Sequence, residues 1–217
     1  MPVARRLKSE TREQLLAAAG ALFVSHGYLE VTVAQICARA GVSNGSFFHL
    51  FKTKTQLAEG LIEDIACSYR EEVLSRLLLP ARSPEQAIAA VLNVHLRWVA
   101  GHGTRARLWF GLRPALLYLG AGPTANPHIA DVANVVGEWA RPLVAAGEIR
   151  PMPVEAIAAL IFGGADAIGA LQAGDGGAGA LDRDLAKRTA AAAWGAIRGR
   201  TRVPQRGAEP SEPVLNL

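Results

Sequence analysis

The chain has 217 residues, of which 50% are hydrophobic, and a formal net charge of +4 at pH 7. This length is enough to bury a sizeable core in one or two compact units, and two are expected. The presence of only two cysteines, Cys37 and Cys67, excludes a disulfide framework and is typical of a protein of the reducing cytoplasm. Strand signals are weak, whereas Ala/Leu-rich stretches with a period of about 3.6 residues dominate, so the predicted fold class is all-α.

Residues 1–12 carry basic side chains with no apolar stretch behind them, so this segment is interpreted as a flexible arm and not as a signal peptide. A first helix is predicted after it, because apolar residues recur there on one helical face. That face consists of Leu15, Leu16, Ala19, Leu22 and Phe23. Gly27 is predicted to end the helix.

Residues 32–54 predict two short helices joined by a tight turn. Thr32 and Gln35 have the spacing of a capping box, in which each side chain satisfies a free backbone amide at the start of a helix. The first of the two helices therefore begins at Val33. It ends before Gly41, because glycine accepts the left-handed backbone that lets the chain leave a helix sharply.

The second short helix is predicted from Asn44 to about Leu50, with Ser43 as its N-cap. Apolar residues of both helices share one face and are expected to be buried. The opposite side of the second helix faces outward, where it can read base edges and phosphates in a DNA groove. It presents Asn44, Gly45, Ser46, Phe48 and His49.

Basic charge is concentrated around this helix-turn-helix pattern. Residues 1–54 hold seven Lys/Arg against three acidic residues, whereas residues 55–217 hold sixteen of each. Such a patch can neutralise phosphates and release their counterions, so DNA binding is expected to weaken steeply with salt. The alternative is a plain corner between two amphipathic helices that binds no nucleic acid.

The first quarter of the chain resembles the tetracycline-repressor-like (TetR) family of transcriptional regulators. The resemblance rests on an amphipathic first helix, a Gly-aromatic exit, a Thr-led second helix, a recognition-helix run and a lysine that opens the fourth helix. These features are Leu15 to Phe23, Gly27-Tyr28, Thr32, Gly41 to Phe51 and Lys54. The chain departs from the family at Phe48, where tyrosine is usual, and at Asn44, where lysine is common, and both changes remove polar or charged phosphate contacts.

The resemblance implies a helix-turn-helix DNA-binding domain of three helices at residues 1–53 and a helical effector-binding and dimerisation domain at residues 54–200. A two-fold dimer would place its recognition helices on a palindromic operator in double-stranded DNA, with half-sites about 34 Å or a multiple of it apart. The expected DNA-binding residues are Thr32, Ser43, Asn44, Gly45, Ser46, Phe48, His49, Lys52 and Lys54. Among these, Lys54 is predicted to contact a phosphate.

The second domain is predicted to be a series of helices. They cover residues 53–78, 84–101, 104–119, 128–146, 154–173 and 182–199. Pro114 predicts a kink or a break within its helix. Residues 201–217 contain three prolines and no periodicity, which predicts a disordered tail.

Aromatic residues and histidines of the helical body are candidates for binding a small-molecule effector. They are His95, Trp98, His102, Trp109, Phe110, Tyr118 and Trp139. In a helical domain such residues are core residues first, and the functional interpretation is that some of them line an effector cavity. The identity of the effector is not predicted.

The helix at residues 154–173 is apolar on nearly every side, but Glu155, Asp166 and Gln172 oppose a transmembrane interpretation. In a soluble protein, such a helix is covered both by its own core and by a partner. The last two helices are therefore predicted to form a homodimer interface, through Ile157, Leu160, Ile161, Gly164, Ile168, Leu171, Leu185, Ala192, Ala196 and Ile197. The alternative is that they only fill the core of the monomer.

No catalytic pattern is present in the sequence. The five histidines lack metal-ligand spacing, and no G-x-S-x-G nucleophile motif occurs. Residues 174–179 match G-x-G-x-x-G, but they follow a helix and not a strand. The sequence therefore predicts no enzyme, cofactor or metal site, but a cytoplasmic dimeric regulator, a repressor that an effector releases from DNA. The alternative is a helical ligand-binding or carrier module whose basic end binds a protein or membrane surface.

Overall fold

The computed structural model describes residues 3–118, 127–174 and 183–199. These ranges contain nine α-helices and no strand, so the all-α prediction is confirmed. The helices are α1 (Val3–His26), α2 (Val33–Ala40), α3 (Asn44–Leu50), α4 (Lys54–Glu72), α5 (Pro84–Gly101), α6 (Gly103–Tyr118), α7 (Pro127–Ala145), α8 (Val154–Gly174) and α9 (Arg183–Ile197). The predicted tail at residues 201–217 and most of the glycine-rich loop after α8 lie outside the described residues.

Helices α1 to α3, which we call the head, pack on one another around a small core. Phe47 is fully buried, and its ring centroid lies 6.0 Å from that of Phe51. Leu15 and Ile36 are also fully buried, which brings α1 and α2 to the same core. The positions of the two short helices follow from this packing and from their caps.

The start of α1 differs from the prediction. Residues 3–12 continue the helix to its N-terminal end, so the interpretation of this segment as a flexible arm is wrong. The physical reason is that its Arg, Lys and Glu residues are good helix formers. The segment extends a helix whose apolar stripe is already fixed against the head core.

The end of α4 and the course of α6 also differ from the prediction. Helix α4 ends at Glu72, and the chain continues as a 3-10 helix, Leu74–Leu78, before Pro80. Because proline disfavours a helical residue in front of it, the tightened last turn ends in an extended Leu79. Helix α6 passes through Pro114 to Tyr118, so no break occurs there.

The remaining helices form the body, in which α5 packs against α6, α8 and α9. Helix α4 contacts α1 in the head and both α6 and α7 in the body, while α1 also packs on α6. Helix α4 is therefore shared between the two parts of the molecule. An isolated antiparallel bridge joins Ile149 to Arg198 at the end of α9.

Candidate DNA interface and effector cavity

The outward side of α3 is polar and accessible. Ser43, Asn44, Gly45, Ser46 and His49 are exposed, and Phe48 is half exposed. The fully buried Phe47 on the opposite side anchors the helix in the head core. The structure thus presents as one surface the residues that the sequence suggested for base contacts.

Backbone caps fix the position of this surface. The Ser46 amide donates to Ser43 Oγ at 3.1 Å, and the Ser43 and Ser46 hydroxyls are 3.0 Å apart. At the start of α2, the Thr32 amide donates to Gln35 Oε1 at 2.8 Å, and the Gln35 amide donates to Thr32 Oγ1 at 3.3 Å. Both helix starts, and the left-handed Gly41 between the helices, agree with the predicted motif.

A groove runs between α3 and the N-terminal part of α1. Leu7, Lys8 and Thr11 form its α1 side, opposite residues 43–50. Lys8 and Thr11 therefore join the candidate DNA interface, although sequence analysis placed them on a flexible arm. Their basic and polar character was visible in the sequence, but their helical conformation decides which surface they face.

Lys54 holds the head together from the start of α4. Its Nζ donates to the carbonyl oxygens of Tyr28 at 2.8 Å, Leu29 at 3.4 Å and Val31 at 2.7 Å. The ammonium also lies 4.5 Å from the centroid of the Tyr28 ring. Burial lowers the pKa of Lys54, against the opposing effect of the Glu30 carboxylate.

An ammonium group has three protons, and three carbonyl groups here accept them. The predicted phosphate contact of Lys54 is therefore corrected to a structural role in the turn between α1 and α2. Lys52, in contrast, is exposed beside α3 and is the lysine of this pair that can reach DNA.

The body contains a cavity of about 300 Å³ between α4, α6, α7 and α8. Its apolar wall includes Phe162 and several small residues, and its polar groups come from three helices. The lining residues are Tyr69, Arg113, Val132, Ala133, Glu155, Ala158, Ala159, Phe162, Gly163 and Asp166. None of the seven residues predicted to bind an effector is among them.

Three of those seven residues contact Tyr69 directly behind the cavity wall. The Tyr69 hydroxyl is hydrogen-bonded to His95 Nδ1 at 2.7 Å, and the Tyr69 ring stacks on Trp109 with centroids 5.6 Å apart. The Trp98 ring meets the Tyr69 ring edge-on with centroids 5.1 Å apart, and His95, Trp98 and Trp109 are all buried. They support a residue that faces the cavity without facing it themselves.

The other four lie further away. The His102 ring stacks on the outer side of this group, 5.2 Å from the Trp98 ring. Phe110 and Trp139 are half-buried against the core, while Tyr118 is 92% exposed. The prediction from aromatic content therefore located the body core but not the cavity lining.

A polar cluster lies between the cavity and α5. His95 Nε2 lies 3.6 Å from Asp166 Oδ1, and the Arg113 guanidinium lies 4.7 Å from the centroid of the Trp109 ring. Burial lowers the pKa of His95, against smaller opposing effects of Asp166 and the Ala165 backbone. Burial raises the pKa of Asp166, against the charges of His95 and Arg113.

The ten residues predicted for a dimer interface divide into two groups. Ile157, Ile161 and Ile197 are buried in the core of the same chain, so their assignment to an intersubunit surface is wrong. They point toward the helices that α8 and α9 pack against. Leu160, Gly164, Leu171 and Ala192 are exposed, and Ile168, Leu185 and Ala196 are half-buried.

The exposed apolar residues of α8 recur on one face. Leu160, Gly164, Ala167 and Leu171 are spaced four, three and four residues apart, and we call them the outward stripe. By length and apolar composition, α8 is also the one helix in the described ranges that could cross a membrane. The same helix packs against α5, α6, α7 and α9 and carries Asp166 beside the cavity.

Comparisons of sequence with known proteins match the N-terminal part of the chain. Residues 15–61 match the family model described as bacterial regulatory proteins, tetR family. The HTH-type transcriptional regulator BetI of Escherichia coli K12 is 39% identical over 88 residues, which are 40% of this chain and 45% of BetI. The chain thus matches less than half the length of this curated relative.

Solved structures resemble the whole fold. A TetR family transcription regulator from Marinobacter aquaeolei VT8 has a TM-score of 0.71 at 16% identity, covering 90% of this chain and 100% of that one. The regulator FadR from Bacillus subtilis, solved in complex with stearoyl-CoA, has a TM-score of 0.69 at 21% identity, covering 83% of this chain and 96% of FadR. At such identities the likeness establishes a shared fold.

Proposed function

We propose that this chain, a member of the TetR family of bacterial transcriptional regulators by its domain at residues 15–61, is a cytoplasmic, dimeric repressor that a small molecule releases from a palindromic operator. The observation that carries the proposal is the polar side of α3. It is exposed along a groove that also contains Lys8, while Phe47 fixes the helix from behind. This arrangement suits a helix that enters the major groove of DNA.

Dimerisation is part of the proposal because one helix-turn-helix unit makes few contacts. The outward stripe on α8 leaves Leu160 and Leu171 exposed, at 42% and 73% of their surfaces. A second copy packed on this face would cover them, and the glycine and alanine between them permit close approach of two helices. Two linked heads then bind DNA far more tightly than one.

Control by an effector is proposed from the position of the cavity. Tyr69 on α4 faces the cavity, and Lys54 at the start of the same helix is bonded to the head. A ligand that prefers one position of α4 would shift the population of heads that can bind DNA, by about 1–3 kcal/mol of coupling free energy. The cavity volume lies at the lower end of the range of about 300–1,000 Å³ for small-molecule sites.

The test is selection of sequences bound by the full-length protein from a random pool of duplex DNA, followed by binding measurements at several salt concentrations. We expect a palindrome and an affinity that falls steeply with salt. Introducing a negative charge on α3 with Ser46→Asp should weaken binding to the selected site by about tenfold or more, because the carboxylate would face the phosphates.

The matched control is Ser75→Asp, which adds the same charge at an exposed serine of the body. It should leave DNA binding unchanged. Equal losses in the two variants, or no enrichment of any sequence, would contradict the proposal. Salt-sensitive binding to anionic vesicles without sequence preference for DNA would instead support the alternative of a module with a membrane-binding basic end.

A further inference from the structure

We propose that the body cavity selects a small cationic amine carried on an apolar body, and that Asp166 binds the nitrogen. The inference rests on the proposed function to the extent that this cavity is the effector site. It concerns the chemical class of the ligand, which follows from the groups that face the cavity.

The walls set the apolar part of the ligand. Phe162, Val132 and Ala158 form an apolar lining, and Ala133 leaves room on the α7 side. A cavity of about 300 Å³ is large enough for a compact hydrocarbon with one polar head. Burial of such a body supplies affinity, while the few polar groups decide which head is accepted.

The polar groups of the cavity favour a positive head. Asp166 and Glu155 contribute two carboxylates, and Arg113 contributes one guanidinium. That guanidinium is already held over the Trp109 ring, and its charge acts on Asp166. An anionic head group beside Asp166 would be repelled by its carboxylate and would meet a second carboxylate at Glu155.

Asp166 is placed to receive a donor from the cavity. About 37% of its side chain is accessible, whereas His95 behind it is fully buried. The bond between the Tyr69 hydroxyl and Nδ1 orients the imidazole so that Nε2 faces Asp166 at 3.6 Å. Because burial favours the neutral form of His95, the imidazole beside the carboxylate does not cancel its charge.

The other charged side chains near the cavity do not offer an equivalent site. Glu155 is exposed at the start of α8, so water and salt screen its charge. Asp131 on α7 is 3.4 Å from Arg70 of α4 and is therefore already paired. Within the described lining, Asp166 is thus the carboxylate that combines partial burial with access to the cavity.

A series of probes with one hydrocarbon chain separates the effect of the head group from that of the body. Hexylamine, 1-hexanol and hexanoate should be titrated into the full-length protein by calorimetry, with thermal unfolding as a second readout. We expect hexylamine to bind at least about tenfold more tightly than hexanoate, with hexanol between them, as a charge-assisted hydrogen bond would give.

Two matched variants then locate the recognising carboxylate. Asp166→Asn keeps the size and hydrogen-bonding capacity of the side chain but removes its charge, and it should lower hexylamine affinity by about tenfold or more. Glu138→Gln removes an exposed carboxylate of α7 that does not line the cavity and should change that affinity less than about threefold. Helical content measured by circular dichroism confirms that each variant is folded.

A third variant tests the location without altering a charge. A Cβ added at Gly163 would meet no atom within 4 Å, so Gly163→Leu can fold while its side chain occupies space at the cavity. It should weaken binding of all three probes together. Unchanged binding in this variant would contradict the cavity as the binding site.

Tighter binding of hexanoate than hexylamine would overturn the inference, as would unchanged hexylamine affinity in Asp166→Asn. Absence of binding by all three probes at millimolar concentration would also overturn it. DNA binding by the ligand-free protein is measured on the same samples. Intact sequence-specific DNA binding in the absence of amine preference would refute the inference alone, whereas loss of both would refute the proposed function as well.

Discussion

The head and the body assemble their candidate sites in opposite ways. In the head, the residues proposed to contact DNA point outward, and most come from the segment 43–52. In the body, the polar groups of the cavity point inward and come from α4, α6 and α8. A surface that reads a large partner can be built from one short segment, but a cavity requires several distant segments to meet.

Helix α4 connects the two kinds of site. Lys54 binds the head, and Tyr69 faces the cavity about 22 Å further along the same helix, at 1.5 Å per residue. Arg12 of α1 adds a second link, with its guanidinium 3.6 Å from Asp64 of α4. A rigid displacement of α4 caused by a ligand would therefore reach the turn that positions α2 and α3.

The largest effect is expected from a variant that tests whether tight DNA binding by the head requires dimerisation through the body. Leu171→Glu places a charge on the outward stripe, where it would be buried against a second copy of the chain. We expect the dimer to dissociate and DNA affinity to fall by about 100-fold or more, because the second head is no longer linked to the first. Sedimentation and binding to the selected operator measure the two effects.

Leu29→Glu is the matched control for this variant. Leu29 lies in the head and is 72% exposed, compared with 73% for Leu171. The control should remain dimeric. If Leu171→Glu also stays dimeric, the outward stripe is not the subunit interface, and the head and the body are less dependent on each other than proposed.

A smaller effect is expected from two lysine variants, which distinguish a lysine that stabilises the head from one that contacts DNA. Lys54→Met removes the ammonium group that donates to three carbonyl oxygens. Because these carbonyl groups lose their charge-assisted hydrogen bonds, the free energy of unfolding should fall by about 2 kcal/mol. Lys52→Met should leave stability unchanged but reduce the dependence of DNA binding on salt by about one phosphate contact. Urea unfolding and salt titrations distinguish the two lysines, and a reversed result would restore the phosphate role of Lys54.

The fate of these residues shows which properties a sequence reveals. The cap at Thr32, the left-handed Gly41 and the cap at Ser43 depend on interactions within a few residues, so local spacing predicted them. Lys54 was predicted wrongly because its partners, the carbonyl groups of residues 28–31, lie more than twenty residues away in sequence. A motif identifies the residue, but tertiary packing decides what its side chain contacts.

The body shows the same limit more strongly. Apolar periodicity predicted α8, but it could not assign Ile161 to the chain's own core and Leu160 to the outside, because both are apolar and adjacent. Gly169 of the same helix also faces inward, since a Cβ there would lie 2.9 Å from the Phe110 ring of the same chain. Tyr69, Arg113 and Asp166 carried no local signal, since they come close together only after α4, α6 and α8 have packed.

The smallest expected effect concerns His95, which was proposed from the sequence as an effector residue and lies instead behind the cavity. Burial lowers its pKa below the ordinary value of 6.5, so the unfolded chain binds a proton more readily than the folded chain. The burial of neutral His95 therefore does not reduce the free energy of unfolding above pH 6.5. As the pH falls below 6.5, the unfolded chain takes up the proton and the free energy of unfolding decreases. Tyr69 on α4, Arg113 on α6 and Asp166 on α8 are the titratable groups of this cluster.

The variant His95→Gln should therefore flatten the decrease in unfolding free energy that the parent shows as the pH falls below 6.5. The difference between the parent and variant profiles cancels the contributions of the other four histidines. Asp166 has an opposite effect, since its raised pKa weakens the fold as the pH rises from its ordinary value of 3.8. Parallel profiles from chemical unfolding below pH 6.5 would show that His95 is not kept neutral by burial, and its imidazolium would then compete with an amine for Asp166.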